Sequence, residues 1–490
     1  MIVFNRSKFK LFFHLKIIIF TIIWVLLYHF KEVKKAMKTL KTISILAILS
    51  SIFLCSCQGD NRDFSSYEPK TSFCTSELSK NNSGMNKICN LNKVKNSFGN
   101  EVRPFNSDLI YALFPYQTLT LENVYTIEEL MGEKMIALHK YFDRHNSYID
   151  ENGNTISNLK TINDSYGTGN KIKVDKELFT ILKLSLELGE ISSGRFNIAI
   201  GELSDYWNGL IDFNRDNYGI LDPDLVVIND PSLDENEKIT LEQETKNKLK
   251  TELNQLVKDT PSIKELKEIL VLDEENLTVE FKKYKEAETV SLSLGGIGKG
   301  YGVNIISDIL LQNGFNNGYI SGATSSNVIL GNHYKNSSWS IAISSPSKYD
   351  YISGGTLSLN GYNVISTSGD EVNSYAFYNE NLEVIRRHHI IDATTGYPQY
   401  NFRKVTIVSK TLDSAIMDAL STVLVNTPLK EMKEFLPYLR TYFNADIEAI
   451  FQDSNADNTE YYYYITKGLK DNFKVNEDNP VKASVTYYEF

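Results

Sequence analysis

One carboxylate and two hydroxyls stand out in an apolar stretch near the C-terminus. Residues 413–426 read DSAIMDALSTVLVN, where Asp418, Ser421 and Thr422 interrupt a run of apolar residues. Positions i, i+3 and i+4 share one face of a helix, so these side chains would project together from a helix suited to burial. A buried, unpaired carboxylate costs roughly several kcal/mol, which a hard cation with oxygen ligands would offset. The alternative interpretation is a helix with one polar face toward water.

A second segment combines glycines with a lysine. Residues 289–314 read TVSLSLGGIGKGYGVNIISDILLQNG. Alternating apolar residues predict a strand with one buried face, five glycines within eight positions predict a turn, and the periodic apolar residues that follow predict a helix. Backbone N–H groups at such a turn can contact an anion. The segment is not a P-loop, because Lys299 is followed by Gly300 rather than by Ser or Thr. A tight turn without a ligand is the alternative.

A histidine supplies a candidate base. Residues 388–398 read HHIIDATTGYP, in which His389 precedes an apolar pair and a turn that Asp392, Gly396 and Pro398 favour. Histidine titrates near neutral pH, so it is suited to accept the proton of a hydroxyl nucleophile. A structural or merely exposed histidine is the alternative.

Length and composition limit the class of protein. The chain has 490 residues, of which 42% are hydrophobic and 23% charged, as is ordinary for a soluble globular protein longer than one average domain. A net charge of -10 argues against non-specific binding to nucleic acid. The four cysteines form no CxxC pair, which argues against a thiolate metal site. Outside the cytosol, Cys74 and Cys89 would be able to form a disulfide, with free thiols as the alternative.

The N-terminal region carries a targeting signal. From Met37 the chain reads MKTLKTISILAILSSIFLCSCQGD, in which two lysines precede a short apolar run and the sequence LCSC. This order resembles the signal and lipobox of bacterial lipoproteins, in which the last cysteine is lipidated. It predicts a signal peptide at 37–56, a lipid on Cys57 and attachment to the extracytoplasmic face of the cell membrane. An uncleaved membrane anchor is the alternative, and residues 1–36 are either an upstream extension or an extra anchor.

The rest of the chain divides by composition into a tether and one folded domain. Residues 57–105 are rich in Asn, Ser, Lys and Asp and are predicted to form a flexible tether. Residues 106–490 are predicted to fold, with amphipathic helices at 127–142 and 176–190. Within this domain, 211–285 is strongly charged and is predicted to be a helical, solvent-facing insertion. Near the C-terminus, the runs IEAIFQD and YYYYITKG predict a hairpin.

Six segments, in order, resemble motifs of the ApbE family, the FAD:protein FMN transferases. They are LKTIND (159–164), SSGRFNIAIGELSDYW (192–207), SLGGIGKGYGVN (293–304), STSGD (366–370), HHIIDATTGYP (388–398) and DSAIMDALSTVL (413–424). The resemblance extends over about residues 109–475 and leaves the insertion 211–285 unexplained. Ser293 stands where the family usually has Asp, and Arg195 and Asn197 stand at positions that are more often Ala and Asp.

The resemblance implies a mixed α+β fold, similar to a T-fold, in which helices flank antiparallel sheets. It implies that Asp418 and Thr422 bind Mg²⁺, with Ser421 close by and the backbone carbonyl of Gly296 completing the protein ligands. It also implies that His389 is the catalytic base. The side chains expected to contact FAD are Tyr116, Arg195, Phe196, Asn197, Ser293 and Lys299.

The implied activity is the transfer of FMN from FAD to a threonine or serine of a target flavoprotein, with release of AMP. The implied partners are FAD and a membrane redox subunit or extracellular flavoprotein that carries the acceptor. Two alternatives stay open: a surface lipoprotein that binds FAD without transfer, which Ser293 favours, and an FAD pyrophosphatase with water as the acceptor. Intact Asp418, Thr422 and His389 favour transfer, because binding alone needs no base.

Overall fold

The structure is a computed structural model that describes residues 79–81, 84–89, 93–106, 109–114, 121–216, 219–322, 325–332, 338–345, 353–371, 373–477 and 482–490. Its helices are α1 (Leu121–Phe142), α2 (Leu159–Asp164), α3 (Lys176–Ile191), α4 (Gly201–Asp216), α5 (Glu235–Asp259), α6 (Ile263–Ile269), α7 (Gly298–Gln312), α8 (Ser414–Val425) and α9 (Leu429–Phe443). Short 3-10 helices span Pro104–Asn106 and Lys467–Leu469.

The strands in the first half of the chain are β1 (Ser79–Asn81), β2 (Gly84–Cys89), β3 (Val94–Lys95), β4 (Glu101–Val102), β5 (Leu109–Phe114), β6 (Lys171–Lys173), β7 (Ile220–Leu221), β8 (Val226–Val227), β9 (Leu270–Asp273) and β10 (Thr278–Phe281). Those in the second half are β11 (Asn317–Gly322), β12 (Ser326–Leu330), β13 (Ser340–Ser344), β14 (Ser353–Ser358), β15 (Val364–Gly369), β16 (Ser374–Tyr378), β17 (Val384–His388), β18 (Lys404–Ser409), β19 (Glu448–Ser454), β20 (Glu460–Thr466), β21 (Phe473–Val475) and β22 (Lys482–Tyr488).

Several predictions concern residues outside the described ranges. These are the upstream segment 1–36, the signal 37–56, Cys57, Cys74 and Tyr116. None of the helices in the described ranges combines the length and the apolar character needed to cross a membrane.

The largest sheet among the described residues has ten strands in the order β1-β2-β5-β11-β12-β15-β18-β19-β20-β22. Neighbouring strands are antiparallel except for β20 and β22, which are parallel. Smaller antiparallel sheets include β6-β10-β9 and the hairpin of β16 and β17. Helices combined with antiparallel sheets confirm the predicted fold class.

Helix α8 is the helix predicted from residues 413–426. It begins after Asp413, whose side chain accepts a hydrogen bond from the Ile416 N–H at 2.8 Å. The helix packs on β15 and β18 and against α7, and all six residues of β18 are buried. Asp418 and Ser421 are therefore buried rather than turned toward water, which excludes the alternative of a solvated polar face.

The glycine-rich segment differs from its prediction in two ways. Residues 290–294 alternate between buried and half-buried as expected, but the predicted strand was wrong. Their backbone bonds to distant loops instead, with the Leu292 N–H donating to Asn163 Oδ1 at 2.8 Å and the Ser293 N–H to the Ile198 carbonyl at 2.7 Å. The turn covers only residues 295–297, and the later glycines belong to α7.

The charged stretch 211–285 faces solvent only in part. Helix α5 is mostly exposed, with Leu249 and Leu253 as its buried residues. In contrast, β10 pairs with both β6 and β9, and the side chains of Val279 and Phe281 are fully buried in the main hydrophobic core. The many charged residues of 211–285 outweigh the few apolar residues of β9 and β10, so the sequence did not predict these two short strands.

Candidate active site

Asp418 is a buried carboxylate with little compensation from the protein. It is 3% exposed, and its Oδ2 accepts a hydrogen bond from the Gly300 N–H at 2.9 Å. Burial raises the pKa of Asp418, against the opposing effects of the Lys299 charge and the Gly300 N–H. The buried Ser326 hydroxyl also lowers this pKa, yet it makes no hydrogen bond of good geometry. A buried carboxylate beside a buried hydroxyl that has no hydrogen-bond partner among the described residues is an arrangement that a bound cation would stabilise.

The two hydroxyls of α8 have different surroundings. Ser421 is fully buried; its hydroxyl donates to the Asp418 carbonyl at 2.9 Å and lies 2.7 Å from Ser368 Oγ and 3.2 Å from Ser366 Oγ. Thr422 is only half-buried, and its Oγ1 lies 3.3 Å from Ser368 Oγ. Both hydroxyls therefore join α8 to β15, but Thr422 also remains partly accessible to a ligand.

Gly296 lies beside this helix face. A Cβ placed on Gly296 would lie 3.5 Å from Thr422 Oγ1 and 3.3 Å from the Phe196 ring. The donor set of Asp418, Thr422 and a backbone carbonyl consists of hard oxygens, which fit Mg²⁺. In the described residues, no group of three His, Cys, Asp or Glu side chains is placed to hold a metal. A site with one carboxylate suits Mg²⁺, which usually takes its remaining ligands from water and phosphates.

His389 follows directly after β17. Its N–H donates to the Asn373 carbonyl at 3.2 Å, and its Nδ1 lies 3.4 Å from the same oxygen. Since a carbonyl only accepts, this contact favours the tautomer with the proton on Nδ1, which leaves Nε2 free to accept another. His389 is exposed at the surface, but the protein atoms around its imidazole remove water from the charged form. This desolvation, the neighbouring His388 and the Lys299 charge lower the pKa of His389 to about 4. The imidazole is therefore neutral at pH 7.

His388 has a structural role beside it. It is buried, its Nε2–H donates to the Gln399 carbonyl at 2.6 Å, and its Nδ1 accepts from the Ile390 N–H at 3.1 Å. Burial lowers the pKa of His388 to about 4, which keeps this ring neutral as well. These bonds, with the bridge between Ile391 and Pro398, close the loop that follows His389.

Lys299 connects the glycine-rich helix to both other clusters. Its charge lowers the pKa of Asp418 and the pKa of His389. It is half-buried near the start of α7, and it forms no ion pair with any carboxylate in the described part of the chain. Its ammonium group is thus available to an anion located between the predicted metal site and the predicted base.

The predicted FAD contacts lie in different environments. The Phe196 ring adjoins Gly296, and Ser293 is half-buried and accepts from the Gly295 N–H at 3.4 Å. Asn197 is engaged within the protein, since its amide donates to the Pro261 carbonyl at 2.8 Å and accepts from the Ala199 N–H at 2.9 Å.

Arg195 is likewise engaged. It forms an ion pair with Glu431, and its guanidinium lies 5.6 Å from the Phe435 ring centroid. Tyr116 lies outside the described residues.

The polar side chains of β15, and of Asp370 directly after it, were not predicted as site residues from the sequence. Ser366 and Ser368 contact α8, and Asp370 forms a buried ion pair with Arg403. Burial raises the pKa of Asp370 despite Arg403, and its charge in turn acts on His389. The STSGD motif was the signal that contained all three, but it did not indicate which side chains point into the site.

Comparison with known proteins gives a family and a fold. The family model described as the ApbE family matches residues 118–451, about two thirds of the chain. The solved structure of the flavin transferase ApbE from Vibrio cholerae is 18% identical, with a TM-score of 0.51 over 75% of this chain and 96% of that one. The apo form of the flavinyl transferase ApbE from Pseudomonas stutzeri is 18% identical, with a TM-score of 0.50 over 76% and 95%. At these identities the structures show a similar fold, and no curated protein matches this chain.

Proposed function

This chain belongs to the ApbE family and is a transferase, and we propose that it transfers FMN from FAD to a threonine or serine of a target flavoprotein. The observation that carries the proposal is that Gly300, next to Lys299, donates its N–H to Asp418 Oδ2 at 2.9 Å, while the Lys299 charge lowers the pKa of both Asp418 and His389. A cation-binding carboxylate, an anion-binding ammonium and a neutral base therefore share one region. That combination suits phosphoryl transfer to a hydroxyl.

The oxygens of Asp418, Thr422 and Gly296 would hold Mg²⁺, with Ser421 supporting them from β15. When bound, Mg²⁺ supplies positive charge that neutralises the FAD pyrophosphate and polarises its phosphorus. Lys299 and the first N–H groups of α7 add positive potential on the same side. Phe196 offers an apolar surface next to Gly296 that suits part of the ligand.

His389 performs the proton transfer. The Asn373 carbonyl holds its Nδ1–H, so Nε2 takes the proton of the acceptor hydroxyl. The hydroxyl oxygen forms a bond to the phosphorus of the FMN half, and the bond from that phosphorus to the bridging oxygen breaks. AMP leaves with that oxygen, and FMN remains on the target as a phosphoester.

Two other activities compete with this one. Ser293, in place of the usual Asp, favours a protein that binds FAD without transfer, and a water molecule in place of the hydroxyl would give FMN and AMP in solution. Mass spectrometry of a candidate target incubated with this protein, FAD and Mg²⁺ distinguishes them. Transfer predicts a mass increase of one FMN with equimolar AMP, hydrolysis predicts AMP and FMN with an unmodified target, and binding alone predicts neither product.

We further propose, from the sequence signal, that a lipid on Cys57 holds the enzyme at the extracytoplasmic face of the membrane. Acceptors would then be extracellular flavoproteins or subunits of membrane redox complexes. Residues 79–102 of the predicted tether instead contribute β1 to β4 of the fold, so the proposed flexible tether is limited to residues 57–78, and it would let the folded domain reach these acceptors.

A further inference from the structure

The strand that leads to His389 carries a buried arginine that is fixed to the charged insertion. Arg387 is 1% exposed. Its Nε donates to Asp222 Oδ2 at 3.0 Å, its Nη2 to Asp224 Oδ2 at 2.6 Å and its Nη1 to the Tyr400 hydroxyl at 2.9 Å. Each nitrogen of the guanidinium thus has a partner, and both carboxylates lie in the turn between β7 and β8.

The same aspartate also binds the other strand of the hairpin. The Tyr375 hydroxyl, on β16, donates to Asp222 Oδ2 at 2.6 Å. Asp222 is fully buried, and its Oδ1 accepts from the Asp224 N–H at 2.8 Å. Aromatic rings enclose the guanidinium at 5.3 to 5.9 Å; they belong to Trp207, Phe377, Tyr397 and Tyr400.

A second attachment holds the loop that follows His389. The indole N–H of Trp207, on α4, donates to the Gly396 carbonyl at 2.7 Å. Val257, on α5, packs so closely there that a Cβ on Gly396 would lie 2.2 Å from its Cγ2. Residues 201–259 therefore contact the His389 segment on both sides, before and after the histidine.

This hairpin carries both the base and its hydrogen-bond partner. His389 follows β17, and Asn373, whose carbonyl holds Nδ1, precedes β16; the two strands pair with Ser374 opposite His388. Because Asp222 binds one side chain from each strand, it fixes the separation of these two groups.

Stability alone does not account for the arrangement. Buried ion pairs contribute little net stability compared with apolar residues of similar volume, although breaking one is costly. In some proteins such pairs define one geometry, and an imidazole held by a single carbonyl needs other residues to set its position.

We propose that residues 201–259 form a brace that positions His389, with Asp222 and Arg387 as the positioning residues. The inference rests on the proposed function in taking His389 as the base. It assigns a role to the insertion that the chemistry of the site itself leaves unexplained. The brace acts on the alignment of the base, and none of the predicted FAD contacts lies within residues 201–259.

The first test is kinetic. Asp222→Asn keeps the shape of the side chain but removes its charge. Misalignment of the base by the order of 1 Å should lower kcat by roughly tenfold to a hundredfold. The Kd for FAD should stay within about twofold, because the partners of the Asp222 side chain are Asp224, Tyr375 and Arg387, none of which is a predicted FAD contact. Asp212→Asn, in an exposed ion pair with Arg215 on α4, is the matched control and should behave like the wild type.

A milder variant covers the case in which Asp222→Asn does not fold. Tyr375→Phe removes only the hydroxyl that binds Asp222 and should lower kcat in the same direction, by a smaller factor. A parallel loss of FAD binding, kcat and thermal stability in the folded variants would overturn the brace in favour of a general structural role, as would an unchanged kcat.

The second test does not depend on activity. Titration of the His389 imidazole by NMR, assigned with His389→Gln, should give a pKa of about 4 in the wild type. In Asp222→Asn the loosened imidazole becomes better solvated, so its pKa should rise toward the ordinary value of about 6.5. A shifted titration in a protein that never modifies a target would support the brace and refute the proposed function. An unchanged titration would refute the brace even if the wild type transfers FMN.

Discussion

The backbone N–H of Gly300 donates a hydrogen bond of 2.9 Å to Oδ2 of Asp418. The glycine-rich helix α7 and the helix α8 therefore meet at the predicted metal ligand itself. A Cβ on Gly300 would lie 2.2 Å from the Ser414 carbonyl oxygen and 2.5 Å from Asp418 Cβ. Glycine at this position is a requirement of helix packing, and the packing in turn sets the position of the carboxylate.

Gly300→Ala should separate the two helices. We expect a loss of about 1–3 kcal/mol in the free energy of unfolding, as for other overpacked cores, together with weaker binding of Mg²⁺. Denaturant unfolding with and without Mg²⁺ measures both effects. Gly298→Ala, whose new Cβ would meet only ordinary contacts at 3.7 Å from Phe142, is the control in the same helix. Equal stability of the two variants would contradict the packing argument.

Asp418→Asn should uncouple metal binding from stability. The pKa of Asp418 is raised by burial, so the ionised carboxylate costs free energy that increases as the pH rises above its ordinary value of 3.8. An amide at this position still accepts from Gly300, so the metal-free variant should be as stable as the wild type at pH 7, or more stable. Its melting temperature should no longer rise with Mg²⁺, and transfer should be lost. Full activity at limiting Mg²⁺ would exclude α8 as the metal site.

The pH dependence of kcat/KM should report the free enzyme's base. Because the pKa of His389 is lowered to about 4, the imidazole stays unprotonated as the pH falls and is protonated only near pH 4. At saturating Mg²⁺, which favours the ionised form of Asp418, activity should therefore be flat through neutral pH and fall on the acid side near pH 4. Circular dichroism at each pH verifies that the protein remains folded. An acid limb near pH 6.5 would identify an unperturbed group and rule out this environment for the base.

His389→Ala should separate binding from chemistry. FAD binding, followed by flavin fluorescence, should persist because Lys299 and the oxygens of α8 remain. Transfer, followed by the mass of the target, should fall by roughly a hundredfold or more, the usual contribution of a general base. His145→Ala, at an exposed histidine, serves as the control. If binding and transfer disappear together, His389 is a ligand contact and not the base.

Cys57→Ala tests the predicted lipid anchor. The variant should be released from the membrane fraction or be mislocalised, and mass spectrometry of the wild type should find a lipidated N-terminus at Cys57. Unchanged membrane attachment with an uncleaved N-terminus in the variant would refute the lipobox interpretation.

Local patterns predicted the elements that form within short segments. The helix at 413–426 appears as Ser414–Val425, the helix at 176–190 as Lys176–Ile191, and the two C-terminal strands pair as a hairpin, because periodicity and caps act over a few residues. The alternation at 290–294 correctly gave the buried face. It did not give the pairing, because a distant side chain and a loop carbonyl take the place of a strand partner.

Contacts between distant segments could not be predicted in this way. Ser368 meets Ser421 across 53 residues, and Arg387 meets Asp222 across 165. The spacing of residues within a short segment carries no information about such pairs. A charged stretch such as 211–285 is also typical of a solvated surface, although its Asp222 is fully buried. For this reason the residues proposed to bind the metal were predicted from the sequence, whereas the residues proposed to position His389 were not.

Trp207 gives the molecule an internal optical reporter. Its indole is bound to the Gly396 carbonyl and lies beside Arg387, so its emission depends on the arrangement of the loop that carries His389. The chain has three tryptophans, and of these Trp339 lies in a separate hydrophobic cluster. In a variant that carries both Trp24→Phe and Trp339→Phe, Trp207 is the remaining tryptophan, and its fluorescence would follow movements of the His389 loop in real time, without any label and without a known acceptor protein.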